Sequence, residues 1–203
     1  LLVSALHEGL FHTDAACVSA ESHNDGAVVR FVDGSEIEAD IVIGADGIHS
    51  AVRDSTFGKI EPRFTGCICW RGLVHRDALP DPAFARQLIA WWGPHGHIVH
   101  YPVRRDGELV NFVAHYDSDR WIGESWTYEC EQSELMETYA DWNPDLLGLI
   151  QSSEKYYKWA LYDRDPLETW VKGRIALLGD SAHPMLPYLG QGGCMAIEDG
   201  CVL

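Results

Sequence analysis

The chain has 203 residues, enough for one domain with a sizeable core or for two lobes, and its 46% hydrophobic and 23% charged residues place it among globular and not disordered chains. Its net charge of -16, from 31 acidic against 15 basic residues, argues against nucleic-acid or anionic-membrane binding, which need basic patches. No apolar run approaches the ~18 residues of a membrane span, and the six cysteines, lacking a CxxC pair or scaffold spacing, fit a reducing, cytoplasmic setting.

Residues 1–11 carry Leu2, Leu6 and Leu10 on a helical repeat and are expected to be the end of an amphipathic helix. The chain begins there without Met and ends at Leu203 inside another helical pattern, so it reads as a piece of a longer protein. Residues 15–20 and 27–32 are expected to be strands joined through Asn24-Asp25-Gly26, and Asp33-Gly34 turns the chain into a third strand at 37–43. That strand runs into Gly44-Ala45-Asp46-Gly47, followed by Ser50 and Arg53, which can hold the turn and reach phosphate oxygens.

From Phe57 the texture changes. Residues 65–75, 90–92, 97–103 and 109–115 predict strands, separated by Pro, Gly and Asp signals that include a solvated turn at Arg104-Arg105. Consecutive strands without intervening helices imply an antiparallel sheet. A helix over 133–142 with Ser133 as its cap, a second over 145–150 opened by Pro144, and a strand at 158–162 follow. The last stretch combines a buried strand at 175–178, the turn Gly179-Asp180, a Pro-containing loop, and Gln191-Gly192-Gly193 opening a helix. Gly179 permits a sharp turn, Asp180 can accept hydrogen bonds from a sugar or polyol, and a glycine-rich helix start offers free N–H groups to an anion.

On the strand at 97–103, alternation puts His97, Val99, Tyr101 and Val103 on one face, with His97 and Tyr101 ~13 Å apart. A histidine and a phenol on one pocket wall can accept or relay the proton of a phenolic substrate. His95, His97 and His100 have no carboxylate spaced to complete a metal site, so no metal is assigned. Arg71 lies in an apolar strand, where an unpaired charge is costly. It therefore calls for a partner, either a carboxylate or carbonyl of the protein in a structural bridge or a group on a substrate.

With both Gly-Asp units read, the chain resembles the single-component FAD-dependent aromatic hydroxylases, in the branch of the salicylate, 3-hydroxybenzoate and 6-hydroxynicotinate enzymes. The stretch IVIGADGIHSAVR (41–53) is similar to that family's Asp-Gly fingerprint, and GRIALLGDSAHPMLPYLGQGGCMAIEDG (173–200) to its Gly-Asp fingerprint. The fold so implied is α/β (α+β overall): an incomplete FAD-binding Rossmann-like domain with an inserted antiparallel-sheet substrate domain. Residues 1–56 would be the first part of the FAD-binding domain, lacking its GxGxxG portion, 57–160 the substrate domain, and 161–203 the second, truncated part.

By the same resemblance, Asp46, Gly47 and Arg53 belong to the motif linked to FAD and nicotinamide binding, and Gly179 and Asp180 to the turn that meets the ribityl chain. Pro187, Gly190, Gln191, Gly192 and Gly193 match the loop and helix start beside the flavin ring, and Val18 the strand whose backbone meets the adenine. His97 and Tyr101 reproduce the His-x-x-x-Tyr spacing of the substrate wall and are implied to be catalytic, with Arg71 and Pro187 also in contact with substrate. Some members carry a polar Gln or His near Pro187, where this chain has Met185 and Leu186. The implied reaction uses NADH or NADPH and O2 to hydroxylate a small phenolic or aromatic carboxylate substrate, one oxygen atom leaving as water. Two other readings stand beside it: a truncated, non-catalytic homologue unable to hold FAD, and a flavin epoxidase or reductase acting on a non-aromatic substrate.

Overall fold

The computed structural model of the chain describes residues 3–103, 106–119 and 128–203, which leaves Leu2 and the Arg104-Arg105 turn outside the described residues. Residues 3–5 form one short 3-10 turn, and no helix continues through 6–11; Leu6, Leu10 and Phe11 are exposed. A short amphipathic helix is held mainly by burial of its apolar face, and this stripe buries nothing among the described residues.

The first strands, β1 (Cys17–Ser22), β2 (Ala27–Phe31) and β3 (Glu36–Ala39), form an antiparallel meander in that order. The single strand expected over 37–43 is two. The chain breaks at Asp40-Ile41 because β3 pairs with β2, whereas β4 (Val42–Gly44) pairs in a separate sheet. Helix α1 (Ala51–Phe57) follows β4, and its cap Ser50 accepts a hydrogen bond from the Arg53 amide at 2.8 Å.

The chain then builds a sheet from β5 (Arg63–His75), β6 (Ile89–Gly93), β7 (Gly96–Pro102), β8 (Leu109–Asp117), β9 (Tyr128–Cys130) and β10 (Tyr156–Asp163), in the spatial order β6-β7-β8-β5-β10-β9. Between β9 and β10 run α2 (Gln132–Thr138) and α3 (Pro144–Gln151). Leu135 of α2 and Leu146, Leu149 and Ile150 of α3 are fully buried against Trp70, Val74, Ile98, Val110 and Phe112, each contributing about 2 kcal/mol by burial. Asn143 caps α3 by accepting from the Asp145 amide at 2.8 Å, with Pro144 in the first turn. The expected Ser133 cap of α2 is not made. Glu131 occupies that position without a side-chain bond, and the helix starts one residue earlier, where Gln132 donates to the Tyr156 hydroxyl and the Gln151 carbonyl.

The chain closes with β11 (Val171–Lys172), β12 (Ile175–Leu177) and α4 (Gly192–Val202). β12 pairs antiparallel with β11 and parallel with β4. By its contacts the chain divides into two compact units, Leu1–Pro62 with Asp163–Leu203, and Arg63–Tyr162. Each has its own core: Ala27, Val42, Val52, Ile175 and Leu177 in the first, and the helix-covered sheet in the second. Among the described residues no helix is long and apolar enough to cross a membrane.

Candidate active site

In the first unit the parallel pairing of β4 with β12 sets Gly44 opposite Leu177, so both Gly-Asp turns leave the same edge of the sheet. The carboxyl end of parallel strands is where open α/β sheets receive ligands. The turns are stitched together: Leu178 N–H donates to the Gly44 carbonyl at 2.9 Å, and the Ser181 hydroxyl donates to the same carbonyl at 2.5 Å. Gly44 must be glycine here, because a Cβ would lie 2.7 Å from Val52 Cγ1 and 2.9 Å from Leu177 Cδ2.

Asp46 holds its own turn. Its carboxylate accepts from the Ser50 hydroxyl at 2.5 Å and from the Val52 amide at 3.1 Å, and Gly47 takes a positive φ of 78° beside it. Arg53 is buried, and its Nε and Nη2 both donate to Asp54 Oδ1 at 3.0 and 2.9 Å. Its Nη1 is buried without an acceptor among the described residues, leaving one donor for a further oxygen. Val18 is the extra residue of a bulge in β1 and is exposed, so its backbone stands outside the regular ladder. Its neighbour Cys17 has a thiol pushed up by burial and then by the charge of Asp46, which brings β1 to the Asp46 turn.

The second turn continues into the start of α4. Gly179 has φ 61°, and Asp180 is exposed at its tip. Residues 187–189 make a 3-10 turn opened by Pro187 and closed by Gly190 in the left-handed region, and α4 then starts at Gly192 with Gln191 as a cap that makes no side-chain bond. The first amides of α4 are thus left for another acceptor. A Cβ at Gly192 would come within 3.9 Å of Asp180 Oδ1, whereas Gly190 and Gly193 border open space. A carboxylate that accepts hydroxyls therefore sits beside a helix start that attracts anions.

In the second unit the register of β7, β8 and β5 assembles the substrate-wall candidates. His97, Val99 and Tyr101 of β7 lie opposite His115, Val113 and Asn111 of β8, which lie opposite Cys69, Arg71 and Leu73 of β5. These side chains share the sheet face opposite the helix-packed face of Trp70, Ile98 and Phe112. Arg71 is level with Val99, ~10 Å across two strand spacings, while His97 and Tyr101 stand ~13 Å apart at either side of that level. Val113 forms an apolar floor between the three.

Arg71 does not make the protein salt bridge that its apolar strand suggested. Its side chain is exposed, its guanidinium lies 5.8 Å from the Tyr157 ring and 5.9 Å from the Trp159 ring, and no carboxylate of the described residues pairs with it. Solvent exposure and two aromatic faces satisfy the cation instead. It also lines a cavity of about 350 Å³ with Leu73, His75, Leu109, Lys155 and Tyr157.

The sequence reading missed Asp199, Asn111 and His115. Asp199 on α4 accepts from the Gly179 amide at 2.9 Å and pairs with His183 Nε2 at 2.6 Å, and the two bonds hold its carboxyl below the usual carboxylate range. Asn111 and His115 are each 4% exposed on β8. Two buried polar residues within an apolar strand were the available signal.

The chain matches the FAD binding domain family over residues 5–203. It is 45% identical, over its whole length, to a 3-amino-4-hydroxybenzoate 2-monooxygenase of Streptomyces platensis, covering 50% of that protein. It is also 35% identical to a 6-hydroxynicotinate 3-monooxygenase of Bordetella bronchiseptica over its whole length and 53% of the relative. Among solved structures it is similar to a salicylate hydroxylase substrate complex, with a TM-score of 0.83 and 31% identity over 94% of this chain and 51% of that one. A Klebsiella pneumoniae HpxO complexed with FAD and uric acid matches with a TM-score of 0.80 and 31% identity, over 93% of this chain and 48% of that one. The chain spans about half the length of the curated relatives it matches.

Proposed function

Because the chain belongs to the FAD binding domain family, we propose that it is the flavin- and substrate-holding part of a monooxygenase that hydroxylates a phenolic or aromatic carboxylate substrate with NADH or NADPH and O2. The observation that carries this reading is the convergence of Asp46-Gly47 and Gly179-Asp180 on one sheet edge beside the open start of α4. These residues fit FAD. Asp180 and the amides of Gly192 and Gly193 suit its polyol and ring edge, Pro187, Gly190 and Gln191 shape the loop beside them, Arg53 keeps one donor for an oxygen, and Val18 offers backbone to the adenine. When bound, FAD supplies electron transfer from the nicotinamide and the activation of O2.

The chain's own residues supply the rest. Arg71, free of a carboxylate partner among the described residues, binds the substrate carboxylate, and Val113 and Val99 seat its ring. His97 takes the phenolic proton at an imidazole nitrogen, with the Tyr101 hydroxyl at the other end of the substrate. Removing that proton makes the ring a better nucleophile, and such assistance is worth ~10²–10⁴-fold. Burial holds His97 below the ordinary histidine range, against the opposing charge of Asp117, so the neutral base predominates at neutral pH. We place the protein in the cytoplasm, a setting supported by cysteine spacings that form no disulfide framework.

The test uses the full-length protein with 18O2, NADH or NADPH, and a panel of aminohydroxybenzoate, hydroxybenzoate and hydroxypyridine carboxylates. The expected result is bound flavin absorbance and one 18O atom in a ring-hydroxylated product, with His97→Ala slowing hydroxylation at least ~100-fold while flavin content is kept. Oxidation of the nicotinamide without aromatic hydroxylation, or a product oxygenated at a non-aromatic carbon, would overturn the proposal.

A further inference from the structure

His97 sits within a column of rings. Its imidazole is stacked on that of His115, directly opposite in the β7–β8 register, with centroids 4.3 Å apart and planes within 11°. On its other side the Trp92 ring stacks at 4.9 Å and 24°. His115 is anchored from behind, since its backbone carbonyl accepts from the buried Tyr139 hydroxyl at 3.0 Å. It is 4% exposed, whereas Trp92 is 78% exposed. The column thus has one fixed end and one solvent-facing end.

We propose that His115 is a positioning residue for His97: its ring sets the plane of that imidazole and shields one face of it from water. The proposal rests on the reading of His97 as the base that takes the phenolic proton. A flat ring stacked on a neutral imidazole costs nothing in charge, but it denies hydration to the imidazolium. Several of the described residues face His97. From β8 come His115 and Asp117, from β6 comes the uncharged Trp92, and His95 in the β6–β7 turn packs on Tyr116 instead. Beyond His115 lies Cys69 of β5, whose thiol is pushed up by burial and stays neutral. Burial, followed by the proximity of His97, pushes His115 itself down to about 4, so it is an uncharged ring at neutral pH and does not compete for the proton.

The signs follow. His97 works as a base only when neutral, so hydroxylation rises with pH through its titration, and shielding keeps that limb below the ordinary histidine value of about 6.5. Taking the ring away hydrates His97 and moves the limb up.

The experiment uses the full-length protein with His115→Phe, which keeps a flat ring, His115→Ala, which removes it, and His115→Leu, which fills the volume without one and serves where the alanine variant fails to fold. The His97 titration is followed by NMR of 13C-labelled histidine, assigned by the signal lost in His97→Gln, and the pH profile of single-turnover hydroxylation is recorded beside it. His115→Phe is expected to keep the wild-type titration. The alanine variant is expected to raise it toward about 6.5 and move the low-pH limb with it; the leucine variant, which still excludes water, keeps the titration, and both lower the plateau rate about tenfold, as misorientation of a reacting group does. An alanine titration equal to that of the phenylalanine variant, or a leucine plateau rate equal to the phenylalanine one, would overturn the proposal. An unimpaired rate in His97→Gln would instead remove the base reading, while the NMR titrations still decide whether His115 shields His97.

Discussion

At the scale of single residues, the polar groups that hold the two turns work through short, paired contacts. Asp199 is the plainest case, because one carboxylate oxygen receives both the Gly179 amide and the His183 ring. A charge-assisted bond of this kind is worth about 1–3 kcal/mol, and partial exposure favours the lower half of that range. Asp199→Ala is therefore expected to destabilise the full-length protein by about 1–2 kcal/mol in urea unfolding. The pH dependence has a definite sign. The folded carboxyl is held below its unfolded value, so its contribution is complete above the ordinary carboxylate range of about 4 and is lost as pH falls through the folded value. The stability gap between wild type and Asp199→Ala should shrink on acidification below about pH 4; a gap that is constant with pH would rule out the carboxylate as its source.

At the scale of elements, α1 and β4 depend on a few atoms at their junction. Ser50 accepts from the Arg53 amide and donates to Asp46, so Ser50→Ala removes the helix cap and one support of the Asp46 turn. The expected cost is about 1 kcal/mol. Gly44→Ala acts differently, by overpacking: the added methyl meets Val52 Cγ1 at 2.7 Å and Leu177 Cδ2 at 2.9 Å, and β4 must shift from β12. That change should cost about 1–3 kcal/mol and also reduce flavin retention, because the two turns lose their common edge. Measured together, loss of flavin in Gly44→Ala beyond what the Ser50 variant shows at matched stability would separate misplacement of the turns from simple loosening.

At the scale of the whole molecule, the two compact units are built in different ways. Arg63–Tyr162 is one continuous stretch with its own sheet, two helices and a buried cluster around Trp70, Phe112, Leu135 and Leu149. The other unit brings together Leu1–Pro62 and Asp163–Leu203, and its β12 needs β4 from the other stretch. Residues 63–162 expressed alone are therefore expected to unfold cooperatively on heating and to show near-ultraviolet dichroism from the packed Trp70 and Tyr139 rings. Residues 1–62 alone should show neither a cooperative transition nor slowed amide exchange at Val42 and Ile43; protection there without the second stretch would contradict this account.

Much of this organisation was legible in the residues, because its signals are local. Alternating apolar residues marked the strands of the large sheet, Asn143-Pro144 marked the start of α3, and the two Gly-Asp turns marked the ends of β4 and β12. The same local logic failed for residues 1–11, whose helical repeat finds nothing to bury it among the described residues, and for 37–43, where one strand-like stretch, IEADIVI, conceals a change of pairing partner. Arg71 was legible as an unusual charge, but its resting place over Tyr157 and Trp159 depends on the neighbouring strand β10. The sequence by itself determined the local patterns in which His97, Tyr101, Asp46 and Asp180 stand as candidates for chemistry. Only the tertiary structure decided their company. Ser181 reaches Gly44 across 137 positions, and His115 meets His97 because β7 and β8 pair in one register. A slip of one residue would send His115 to the opposite face, and pairing between distant strands is set by the packing of the whole sheet, which no local pattern encodes.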